Sequence, residues 1–289
     1  MAACPASDVF RLILASFCFC PKLNPIMSSI KNIGSFYPVS DEGYIENPCG
    51  DALIQPRWAE LVEAAKAAYV QLYGRQLHSV YLRGSVAVGR AVEFVSDLDT
   101  FAVLNSDVKQ DKEKEHQLET QLGKKYPFAS GVEIYTRQLS DFDDPKNAWC
   151  FILQTQTLCL HGEDLAQQIP PFKPGKEIAF FARYFSRQLQ QFWDEAHLDD
   201  ALEFKLDCSW IMKRFVRAGF DLVMERSGKF TRDLYPCYTT FAEYYPGQKA
   251  QMHQALAWAV DPAGQTTAVM DFSKSFGGWL VSEIEQVLG

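Results

Sequence analysis

The stretch Tyr81-Leu82-Arg83-Gly84-Ser85-Val86-Ala87-Val88-Gly89 decides how this chain folds, together with Ser96-Asp97-Leu98-Asp99-Thr100-Phe101-Ala102-Val103-Leu104 six residues later. The apolar run Val80 to Leu82 predicts a short buried strand, and Leu98 to Leu104 predicts another. Gly84-Ser85 opens a short helical turn between them, and Gly89 closes it. Side chains alternate across a strand, so Asp97 and Asp99 point to the same face. Two carboxylates held side by side repel unless a cation sits between them or one keeps its proton. Such a hard-oxygen pair suits magnesium, which takes one or two protein carboxylates together with substrate phosphates. Gly84 lets the backbone approach a ligand closely. Ser85 offers a hydroxyl and an amide at a helix start, where anions bind. A phosphate cradle beside a magnesium pair is what phosphoryl or nucleotidyl transfer needs.

Taken singly these pieces are ordinary. Ser-Asp-x-Asp is common at turns and helix caps, and a Gly-Ser pair is commoner still. Their order between two strand-like runs carries the meaning. In that order they resemble the signature of the DNA polymerase beta-like nucleotidyltransferase superfamily, and best its small-molecule branch, the aminoglycoside adenylyltransferases of the streptomycin/spectinomycin type. The loop from Gly89 to Ser96 is about a residue longer than in that branch. The resemblance implies Asp97 and Asp99 as catalytic metal ligands, with Gly84, Ser85 and Ser96 against the nucleotide. It implies Mg2+ as cofactor and ATP as co-substrate. It also implies a third carboxylate on a neighbouring strand, acting as the base that deprotonates the acceptor hydroxyl. Glu133, in the alternating run Gly131-Val132-Glu133-Ile134-Tyr135, fills that place 34 positions after Asp99. A glutamate on a strand is otherwise most often a solvated residue.

Outward from the signature, Trp58, Leu61, Val62, Ala65, Tyr69 and Leu72 recur at helical spacing and Gly74 follows as a stop, which predicts a core-packing helix over 56–74. Asn105 to Lys125 is polar, with Lys112, Glu113, Lys114, Glu115 and Glu119, and reads as a helix whose charges face solvent. Residues 131–136 form the Glu133 strand. The acidic group Asp141, Asp143, Asp144 reads as turn and cap chemistry. A helix over 147–157 and an edge strand over 157–160 follow. His161-Gly162-Glu163-Asp164-Leu165 resembles the segment that closes the catalytic domain in the family, with His161 structural.

Ile169-Pro170-Pro171-Phe172-Lys173-Pro174-Gly175 is a Pro/Gly-rich linker. Beyond it the pattern is helical. One helix carries Ile178, Phe181, Ala182, Phe185, Leu189 and Phe192, and a second carries Leu202, Leu206, Trp210, Phe215, Leu222 and Val223 and ends at Gly228. A third is expected near 248–260 and a fourth near 273–287, which makes an antiparallel bundle. The segment from Ser227-Gly228-Lys229-Phe230-Thr231-Arg232 to Tyr244-Tyr245-Pro246 resembles the family's helical domain. There a basic residue after the Gly-Lys turn reaches the nucleotide phosphates. Arg232 is the nearest match and Lys229 the second, with a spacing about one residue shorter. Lys213 and Arg217, four apart on one helix face, are further candidates, with a solvated face as the plainer expectation.

At 289 residues the chain has length for about two domains. With 47% hydrophobic and 22% charged residues it has the composition of a globular protein that builds its own core. A net charge of −8 and the lack of a basic run argue against a nucleic-acid partner or an anionic membrane, and favour a cationic small substrate. The eight cysteines are scattered, without Cys-x-x-Cys or zinc spacing, which points to a reducing, cytoplasmic setting. Val9 to Cys20 is apolar but too short to span a membrane and lacks the basic lead of a signal peptide. Met27 offers an alternative start.

The expectation is therefore an α/β nucleotidyltransferase domain, a small mixed sheet with flanking helices, over 41–168. An all-α helical bundle domain follows over 169–289, and residues 1–40 are a poorly ordered or loosely docked segment. The partners expected are a nucleoside triphosphate and a small hydroxyl-bearing acceptor, an aminoglycoside in the first instance. RNA or protein acceptors, as in toxin/antitoxin-type relatives, and a non-catalytic nucleotide-binding regulator are the alternatives.

Overall fold

The computed structural model describes residues 30–106, 108–145 and 147–289, so the expectation for residues 1–29 lies outside the described residues. The described chain divides into two compact units. One runs from Asn47 to Pro171, and the other joins residues 30–46 to Phe172–Gly289.

The first unit is built on a four-stranded sheet. Helix α1 (Pro56–Tyr73) starts on proline, where the missing N–H costs nothing, and buries Trp58, Leu61, Val62, Ala65, Tyr69 and Tyr73. Then come β1 (Leu77–Arg83), the single turn α2 (Gly84–Ala87) and β2 (Leu98–Leu104). Helix α3 (Lys112–Lys125), β3 (Val132–Gln138), α4 (Ala148–Gln156) and β4 (Thr157–Gly162) complete the unit. The strand order is β3-β2-β1-β4. Strand β1 is antiparallel to both β2 and β4, while β2 and β3 run parallel. A parallel pair needs a crossover, and α3 supplies it.

Because every strand alternates, the sheet builds two cores. Val80, Leu82, Leu98, Ala102, Leu104, Val132 and Ile134 pack beneath it with the apolar stripe of α1 and with Leu122 of α3. Tyr81, Phe101, Val103 and Tyr135 pack on the other face with Trp149, Ile152 and Leu153 of α4. Asp97, Asp99 and Glu133 belong to this second face by parity.

Helix α3 begins at Lys112 rather than near Asn105. The Asp111 side chain caps it by accepting from the Lys114 amide. Its charges do not all face solvent, either. Glu115 is buried and accepts hydrogen bonds from the Tyr73 hydroxyl (2.6 Å), the Thr136 hydroxyl (2.6 Å) and Lys112 Nζ (3.1 Å). A carboxylate so fully satisfied is tolerated inside, and the polar run gave no sign of these partners.

The second unit consists of α5 (Phe180–Glu195), α6 (Ala201–Ser227), α7 (Leu234–Tyr244), α8 (Lys249–Val260) and α9 (Thr266–Leu288). Helix α6 is the axis: it packs on α5, α7, α8 and α9 and ends at Gly228 in the left-handed conformation (φ 62°), a common C-terminal cap. Helix α7 corrects the sequence reading, which left 234–244 without one. Pro236 and a run of aromatic and β-branched residues conceal it, but Pro236 falls in the first turn, where proline is harmless.

Residues 30–46 run with this unit through specific hydrogen bonds. The Tyr37 amide donates to Phe230 O (2.8 Å) and the Ile45 amide to Phe172 O (2.8 Å). The Thr231 hydroxyl donates to Ser35 O (2.7 Å). No helix among the described residues is long and apolar enough to cross a membrane.

Candidate functional site

Strand register brings the acidic residues together. Asp99 of β2 lies directly opposite Glu133 of β3 in the parallel pair, and Asp97 precedes β2 by one residue. Paired residues share a face, so three carboxylates converge where β2 begins. One ligand oxygen from each of Asp97, Asp99 and Glu133 lies within 4.8 Å of the others. Asp99 and Glu133 are buried and Asp97 is half-buried. Three hard oxygens in that space match a divalent cation such as magnesium, and without a cation or proton their charges repel.

Gly84 closes the site from the end of β1. Its φ is +72°, a conformation that favours glycine, and a Cβ built there would collide with Asp99 Oδ2. Next in the chain, Ser85 holds a buried hydroxyl oxygen that has no hydrogen-bond partner among the described residues. A buried hydroxyl left in that state is costly, and a ligand oxygen at the site would relieve it. Ser96 acts first on its own loop. Its hydroxyl accepts from the Val92 amide (3.0 Å), its amide donates to Val92 O (2.8 Å), and its carbonyl accepts from the Ser130 amide (2.9 Å). These bonds fix the approach to Asp97.

The strands carrying the acids are tied from behind. The Thr100 hydroxyl donates to Glu133 O (2.6 Å). The Tyr69 hydroxyl, fully buried on α1, accepts from the Tyr135 amide (3.0 Å) and reaches Tyr135 O (3.2 Å) and the Thr100 hydroxyl (3.2 Å). Desolvation pushes the Tyr69 phenol well above its ordinary pKa, which keeps it a neutral donor.

The sequence reading passed over two features of this face. Arg83, the last residue of β1, is only 8% exposed and stands opposite Asp99 in the β1–β2 register. A charge closing an apolar run just before Gly84 was the available signal. Arg137, two alternate positions beyond Glu133, stacks its guanidinium on the Trp149 ring at 4.2 Å.

In the helical unit, Lys213, Arg214 and Arg217 of α6 sit in a shielded cationic group and not on a solvated face. Arg214 is 1% exposed, with its guanidinium over the rings of Phe181 (5.4 Å) and Trp210 (5.5 Å). Burial, with the Arg217 and Arg214 charges added, pulls the Lys213 pKa down to about 8. Burial likewise lowers Arg214, as do the Arg217 and Arg232 charges. Arg217 Nε donates to Arg232 O (3.2 Å). Arg232 thus lies beside this cationic group, in which Arg217 also feels the charges of Asp233 and Asp221. Lys229 is exposed, and its ammonium lies 5.1 Å from the Phe36 ring centre.

No protein-family model matches the chain, and no curated protein matches it. Among solved structures, the crystal structure of spectinomycin adenyltransferase AAD(9) from Enterococcus faecialis with ATP and spectinomycin is similar to this chain at a TM-score of 0.49 and 11% sequence identity, covering 78% of this chain and 99% of that one.

Proposed function

We propose that the chain is a nucleotidyltransferase that moves a nucleoside monophosphate, AMP from ATP, onto a hydroxyl of a small-molecule acceptor and releases pyrophosphate. The observation that carries this is the Asp97, Asp99, Glu133 constellation, with its oxygens within 4.8 Å and Gly84 packed against one of them. In this reading Asp97 and Asp99 would hold magnesium, which would supply charge neutralisation to the triphosphate. Gly84 and Ser85 receive the phosphates, an assignment supported by the unsatisfied buried hydroxyl of Ser85. Ser96 shapes the nucleotide side of the loop.

Glu133 takes the proton of the acceptor hydroxyl. The acceptor oxygen attacks the α-phosphorus in line, forming a new P–O bond as the bond to pyrophosphate breaks, and pyrophosphate leaves with that electron pair. A positioned base of this kind contributes about 10²–10⁴-fold. Arg232, the position that the family resemblance marks for a phosphate, takes one, with Lys229 second in line. An aminoglycoside-like acceptor is supported by the net charge of −8.

The test is pyrophosphate release from magnesium-ATP by the purified protein, with and without a panel of aminoglycosides, beside Asp97→Asn. Release that needs one compound and vanishes in Asp97→Asn establishes reaction and acceptor together. Release only on adding RNA or protein keeps the chemistry and replaces the acceptor. Tight ATP binding with no release under any condition rejects the transferase in favour of a regulator.

A further inference from the structure

We propose that Arg83 is the resident counter-cation of the carboxylate site: it holds the Asp99 and Glu133 side chains next to each other and leaves the site one divalent cation short of neutrality. The inference rests on the metal-site reading above for its second half only. The Arg83 Cα pairs with Asp99 on one side and with Thr157 on the other, and Asp99 pairs with Glu133. Thr157, Arg83, Asp99 and Glu133 therefore form one row across four strands, all on the same face. Every member of the row is at most 8% exposed.

Burying an arginine is costly unless it is paired, and burying neighbouring carboxylates is costly for the same reason. Set beside each other, the two costs offset. Arg137, two alternate positions beyond Glu133 on the same face, lies outside this row, with its guanidinium 4.2 Å from the Trp149 ring centre. Within the row together with Asp97, three carboxylates and one guanidinium sum to two negative charges, the charge that a single magnesium ion neutralises. In this role Arg83 is a positioning residue, and it does not touch the reacting atoms.

The role has an unusual signature. Removing a merely structural arginine would disorder the site and weaken metal binding. Removing a counter-cation makes the site more negative and tightens it. The experiment is calorimetric titration of nucleotide-free protein with Mn2+, beside thermal unfolding in EDTA. Arg83→Met is expected to bind Mn2+ about tenfold more tightly than the parent, while Arg83→Lys stays within about threefold of it. In EDTA, Arg83→Met is expected to unfold at a lower temperature, and adding Asp99→Asn to it should recover part of the loss. Unchanged or weaker Mn2+ binding by Arg83→Met would overturn the proposal, as would a double variant no more stable than the single one. If no protein binds Mn2+ in a way that Asp97→Asn abolishes, the metal site itself is wrong and with it the second half of the proposal; the unfolding comparison then decides the first half alone. Should Arg83→Met fail to fold, a folded Arg83→Met/Asp99→Asn supports the charge pairing and an unfolded one rejects it.

Discussion

Asp97 and Gly84 make the site testable one residue at a time. Asp97 is half-buried at the mouth of β2, so an amide of the same shape fits without repacking. Asp97→Asn is expected to remove turnover while leaving the circular dichroism spectrum and unfolding midpoint near those of the parent. Turnover that survives would remove Asp97 from the metal set. Gly84 is the opposite case. Its φ of +72° and the nearness of Asp99 Oδ2 leave no place for a methyl group. The left-handed conformation alone costs an alanine about 1–2 kcal/mol, and displacement of Asp99 adds to that. Gly84→Ala should therefore lose stability by about 2 kcal/mol in chemical denaturation and lose activity as well. Both residues were legible in the sequence, because a glycine before a serine and two aspartates two apart need only strand parity to be interpreted. Arg83 was not, because its meaning lies in the partner strand.

At the scale of the element, the acid-bearing strands depend on a helix residue. Tyr69 of α1 satisfies the Tyr135 amide and meets the Thr100 hydroxyl that anchors Glu133 O. Tyr69→Phe leaves a buried amide without its acceptor, which costs about 1–3 kcal/mol. Urea unfolding should show that loss with an unchanged slope, since the surface exposed on unfolding is the same. Tyr69 was readable from its helical spacing as a core residue, but not as a hydrogen-bond hub. Periodicity reports which face is buried and says nothing of which backbone group waits there. Helix α7 shows the same limit from the other side. Its propensities are poor, and packing against α6 and α8 holds it in place.

For the whole molecule, stability should depend on pH through one buried acid. Asp221 of α6 is buried and accepts from the Ala182 amide (2.9 Å) in the first turn of α5, tying the two helices together. Desolvation raises its pKa to about 8, against the favourable pull of the backbone amides. The folded state then holds a proton that the unfolded chain releases above about pH 4. The contribution of this group to stability therefore falls as pH rises from about 4 to about 8. Asp221→Asn keeps an acceptor for Ala182 and cannot ionise. It should gain stability relative to the parent at pH 8 compared with pH 5, read from thermal midpoints of both proteins at both values. A second expectation concerns nucleotide: if the site binds magnesium-ATP, the ligand at 100 times its dissociation constant should stabilise the fold by about 2.7 kcal/mol. Asp97→Asn should reduce that gain in the same thermal assay.

The order of elements around the signature, the shared face of Asp97 and Asp99, the strand bearing Glu133, and the change from a sheet to helices after the Pro/Gly linker are all legible in the chain alone. All of these follow from local periods, turns and caps, which a residue and its near neighbours dictate. That Glu133 stands opposite Asp99, that Arg83 completes their row, that Glu115 and Asp221 are buried, and that residues 30–46 run with the helical unit emerge only in the folded chain. Register across a parallel pair and the burial of a charge are set by contacts between residues far apart in the chain. Their free energy exists only once the chain has closed on itself.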